Sequence, residues 1–93
     1  MAMAPSKLRD LLANAPTNEA AKAAMAVVDI VQSCPNNGVK LLGVSAAFLL
    51  AVEASGLTVS DVMVYTKNAI NNAEGKRPEF QAVARYIDNE ILN

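Results

Sequence analysis

Apolar residues recur along most of this chain at the three-to-four-residue spacing of a helix face, and the pattern breaks at Pro16, Cys34–Gly38, Gly56 and Gly75. Leu8, Leu11, Leu12 and Ala15 form one side of a short first helix. Ser6 is its expected cap, and Pro16 ends it because the residue before a proline is pushed out of the α region. Thr17 is expected to cap a second helix, with Glu19 in the first turn, where a carboxylate meets the helix dipole favourably. Ala20, Ala24, Val27 and Val31 predict its inner face, with Ala23 and Ile30 beside them. Asn18, Lys22, Asp29 and Gln32 predict its wet stripe, in which Met25 is the apolar exception.

The third helix is expected from about Val39 to Ser55, with Gly56 as a left-handed stop. Its interior, Leu41 to Val52, is apolar nearly all the way round, so the pattern predicts a rod covered on most sides by the others. Thr58 and Asp61 have the spacing of a capping box for a fourth helix running to Glu74, where Gly75 stops it. Val59, Val62, Met63, Thr66, Ala69, Ile70 and Ala73 predict its inner side. Pro78 suits the first turn of a fifth helix with Phe80, Val83, Ala84, Ile87 and Ile91 inside. No stretch alternates with the two-residue period of a strand. The reading is an all-α fold: one helical domain over residues 1–93, a compact orthogonal bundle of about five short helices around a central apolar helix.

Composition narrows what such a bundle does. The chain is 53% hydrophobic and only 4% aromatic, so its core must come from Ala, Val, Leu, Ile and Met. Net charge is −1, which removes the simplest electrostatic case for nucleic acid or an anionic membrane. There is no histidine and one cysteine, Cys34, so no internal disulfide forms and a transition-metal site would rest on carboxylates alone. No metal and no cofactor are expected. Met1 to Asp10 lacks the apolar run of a secretory leader, and Leu41 to Val52 is shorter than the ~20 residues of a membrane span. A buried core helix is the expected reason for that run, and the cytoplasm the expected location.

Enzyme constellations are missing: no glycine-rich phosphate loop, and no Ser-His or Cys-His pair. Cys34 follows a helix C-terminus, where the dipole disfavours a thiolate, and Glu53, one turn from a helix end, is expected to face water. A non-catalytic protein–protein interaction or regulatory module is therefore expected, of the kind common among phage and mobile-element accessory factors. A homodimer is expected too, because Met25 and Val64 on polar faces, with Tyr65 and Tyr86 beside the core stripes, leave more apolar surface than one small bundle covers. The alternative resembles a helix-turn-helix across Gly56, with Leu57 and Val62 inside and Thr58, Ser60 and Lys67 facing DNA. A weakly basic segment holding Lys67, Asn68, Asn71, Lys76 and Arg77 would add phosphate contacts. Against it stand Val52 where a small residue is expected, and Asp61, which repels phosphate, in the first turn of the reading helix.

Overall fold

A computed structural model describes residues 4–93; residues 1–3, part of the segment read for a leader, lie outside the described residues. Five helices follow in order: α1 Pro5–Asn14, α2 Thr17–Val31, α3 Asn37–Ser55, α4 Val59–Ile70 and α5 Pro78–Tyr86. Strands β1 Asn71–Asn72 and β2 Gly75–Lys76 form a minimal antiparallel hairpin, with Asn71 opposite Lys76. A π-helical turn, Ile87–Ile91, extends α5. The all-α bundle of five helices is as the pattern predicts.

Local chemistry explains most of the boundaries. Asn36 caps α3 by accepting a hydrogen bond from the Val39 N–H, and Gly56 closes it at φ 78°. Thr58 and Asp61 form the predicted capping box of α4. Two caps differ. Proline's fixed φ makes Pro5 the first residue of α1, which leaves Ser6 inside the helix and Ala4 at its cap. The Thr17 hydroxyl, instead of capping α2, donates to Glu79 at 2.7 Å and ties the start of α2 to the start of α5.

The end of α4 also departs from expectation, because the helix stops at Ile70 rather than Glu74. Asn72 accepts a hydrogen bond from the Glu74 N–H, an Asx turn that competes with helix, and Gly75 at φ 117° turns the chain back. The Arg77 N–H then donates to the Ile70 carbonyl at 2.8 Å and closes the hairpin. Ala73, expected inside, is exposed.

Helix α2 packs against α3, α4, α5 and the π turn. Among the described residues the buried apolar side chains are Ala21, Val52, Leu57, Val83 and Ile91. The fold is flat, 38 × 32 × 19 Å, about two helices thick. Its radius of gyration is 14.0 Å, against about 12 Å for a compact chain of this length. So thin a slab has little interior.

The expected covering of α3 is accordingly not found. Lys40, Val44, Phe48, Val52 and Ser55 make one narrow inward stripe; Val39, Leu41, Leu42, Leu49 and Leu50 are exposed, Leu42 at 71% and Leu50 at 63%. Burial as a core helix therefore does not explain the apolar run. By length and composition α3, at 19 residues and mean hydropathy 1.6, is able to cross a membrane.

Candidate functional site: the bare face of helix 3

The outward side of α3 carries Val39, Leu42, Ala46 and Leu49 at alternating spacings of three and four, and Glu53 takes the next position. That is the a/d repeat of a two-stranded coiled-coil seam, held for two heptads. Leu50 widens it on one flank, and the seam from Val39 to Glu53 is about 21 Å long at 1.5 Å per residue.

Both ends of this helix are fastened to the body. The Lys40 ammonium donates to the Ile91 carbonyl at 2.5 Å, and the Asn37 amide donates to the Leu92 carbonyl at 2.9 Å. At the other end the Ser55 hydroxyl donates to the Val52 carbonyl and accepts from the Leu57 N–H, while Leu57 itself is buried. The inner stripe faces two small apolar hollows. Phe48 and Val52 line one with Leu8, Leu12 and Val62; Lys40 and Val44 line the other with Val31 and Ile87.

The residues expected at a partner surface scatter. Val64, on the outer side of α4, is 58% exposed, as expected. Met25 is half-buried, because α2 is rotated from the predicted phase: Ala21, Ala24, Met25 and Val28 turn inward, whereas Ile30 is 76% exposed. Asp29 and Gln32, expected to be solvated, accept hydrogen bonds from the Tyr86 hydroxyl. Tyr86 is thereby held against α2, with its hydroxyl spent inside the molecule. Tyr65 is half-buried and lines a cleft of about 290 Å³ with Leu12, Thr17, Asn68 and Arg77.

The nucleic-acid candidates divide between the two ends of α4. Thr58 and Ser60 stand at its start, and Lys67, Asn68, Asn71, Lys76 and Arg77 gather at the hairpin end, about 18 Å away along a helix of 12 residues. The corner itself exists, with Gly56 left-handed and Leu57 buried. Its polar groups are already engaged. The Thr58 hydroxyl accepts from the Asp61 N–H, and Asp61 pairs with Arg9 at 3.3 Å. The Arg9 guanidinium, helped by the Thr58 backbone N–H, holds the Asp61 carboxyl below its usual range. Arg77 is half-buried and donates to the Asn68 carbonyl.

Nothing gathers for catalysis. Glu53 is exposed and lies outside the clefts described above, Cys34 is a free thiol in the α2–α3 turn, and no three metal-ligating side chains cluster among the described residues. The Glu79 carboxyl is held low by its own backbone N–H and by the Thr17 hydroxyl, a structural contact between helix starts. Compared with known proteins, the chain matches no family model, no curated protein and no solved structure.

The outer face of α3 was missed at the sequence level because an apolar rod was assigned to the core. The 39-42-46-49 spacing was the signal that could have shown it, together with a shortage of large side chains elsewhere to cover it.

Proposed function

We propose that this chain is a non-catalytic protein–protein interaction module that assembles as a homodimer through the bare side of α3. The exposure of Leu42, Leu49 and Leu50 on one side of a rigidly tethered helix carries the reading. Surface area gives it scale. The chain exposes 6410 Å², whereas a folded monomer of 9.8 kDa exposes about 5,200 Å². The surplus is of the size that one partner buries in a standard protein–protein interface, about 800 Å².

A protein surface suits this face better than a bilayer. Lys40 and Glu53 bracket twelve apolar or small residues, about 18 Å of helix, against a hydrocarbon core of about 30 Å. Spanning would also strip Phe48 and Val52 from α1 and α4, and would carry the Lys40 ammonium away from its carbonyl. An aqueous compartment follows from the reading, and the cytoplasm suits a lone free cysteine.

Sedimentation velocity over a concentration series tests it. Wild-type protein is expected to run as a dimer. Leu42→Glu with Leu49→Glu is expected to run as a monomer with unchanged helical circular dichroism, since neither side chain supports the core. A wild-type monomer at several hundred micromolar would overturn the proposal.

A nucleic-acid-binding corner between α3 and α4 is the second reading, favoured by the left-handed Gly56 and the buried Leu57. It predicts a gel shift that weakens steeply as salt rises. The engagement of Thr58 and Asp61 in capping and pairing weighs against it. Absence of any shift at low salt ends it.

A further inference from the structure

We infer that the occupant of the α3 seam is the α3 of a second copy running antiparallel, with the two-fold axis passing beside Ala46. This rests on the homodimer reading and adds its direction and register.

The register follows from the seam's own symmetry. About a centre at Ala46, an antiparallel partner places Leu42 opposite Leu49, Val39 opposite Glu53, and Ala46 opposite itself. Both large leucines then meet a leucine, and the smallest seam residue lies where the helix axes come closest. A two-fold interface must be self-complementary in this way, each residue meeting its counterpart's reciprocal. Gly43, on the same outer side, further reduces bulk near the crossing, and no neighbouring atom lies within 4 Å of where its Cβ would stand.

Charge decides between the two directions. In a parallel pair, Glu53 would face Glu53, a like-charge contact at the seam. In the antiparallel pair, each Glu53 carboxylate reaches the first turn of the other α3, where unpaired backbone N–H groups and Lys40 concentrate positive charge. The acidic residue that ends the apolar run thus disfavours the wrong orientation as well as favouring the right one.

Cysteine placement reads the register directly. In a Cys34→Ser background, with one thiol per chain, Ala46→Cys is expected to oxidise to a covalent dimer, because facing seam positions on helices 8–10 Å apart fall within disulfide reach. Leu42→Cys mixed with Leu49→Cys is expected to form the heterodimer in preference to either self-pair. Glu53→Gln reads the direction without relying on a thiol. It should loosen an antiparallel dimer about two- to fivefold, the size of a lost charge–dipole contact, and should tighten a parallel one.

A dimer by sedimentation that pairs Leu42→Cys with itself, that tightens on Glu53→Gln, or that gives no Ala46→Cys product overturns the antiparallel register and leaves the homodimer reading standing. A monomer at high concentration overturns both. So does a monomer that instead co-floats with phosphatidylcholine vesicles.

Discussion

The Tyr86 hydroxyl donates to the Asp29 carboxylate at 2.5 Å, joining the end of α5 to α2 across 57 residues of chain. The Asp29 carboxylate, with burial second, raises the phenol's pKa above its usual 10.0, because the bond requires the proton. The bond's contribution is therefore complete below the ordinary phenol range and is lost as pH climbs through the raised value. An alkaline titration followed by tyrosinate absorbance should show two steps, Tyr65 and Tyr86, with the upper one displaced. Tyr86→Phe should abolish the upper step and lower the melting temperature at neutral pH. A wild-type curve with both phenols at the ordinary value would mean that the bond is not made in solution.

Asp61 gives the opposite sign. Its pKa is lowered, chiefly by the Arg9 hydrogen bond, so its contribution is full above the ordinary carboxylate range and disappears as pH falls through the depressed value. Asp61→Asn should flatten the acid limb of a stability-against-pH curve, and Arg9→Ala should flatten it in part, because the Thr58 contact survives. Both groups are on the surface, and added salt should weaken the pair.

The interior is thin enough for one side chain to matter. Ile91 is 3% exposed, and Ile91→Ala should cost about 2–5 kcal/mol in urea unfolding. A domain of this size has about 5–14 kcal/mol in total, so the variant sits near the edge of folding. Leu50→Ala, measured in a monomeric Leu42→Glu/Leu49→Glu background, should cost less than about 0.5 kcal/mol. Equal losses at the two positions would show that α3 is covered within the monomer after all.

At the α3–α4 corner the backbone sets the cost. Gly56→Ala places a Cβ at φ 78°, 3.4 Å from the Pro5 ring, and should destabilise by roughly 1–2 kcal/mol. Thr58→Ala removes a cap and should cost about 1 kcal/mol. Urea midpoints with an unchanged slope would assign both losses to the folded state.

The boundaries that depend on adjacent residues were legible in the sequence. Asn36–Gly38 before α3, Gly56 after it, the Thr58–Asp61 box and Pro78 all act within one turn of the helix that they bound. What failed depends on residues far apart. The phase of α2 is set by Tyr86, which takes Asp29 and Gln32 out of the solvated stripe and rolls Ile30 into water. Thr17 lost its capping role to Glu79, 62 positions away. Leu41 to Val52 showed correctly that a side of α3 avoids water. Periodicity says nothing of whether the same chain supplies the cover, and this chain, poor in aromatic residues, does not. The π turn at Ile87–Ile91 has no sequence signature that we recognise.

The bonds from Asn37 and Lys40 to the carbonyls of Leu92 and Ile91 have a consequence for whatever meets α3. They splint the helix before any encounter, so a visiting surface finds the rod already straight and loses little conformational freedom in ordering it. Adhesion strength is then set by the leucines alone, and trimming the last few residues of the chain should slacken the grip without touching a single contacting side chain.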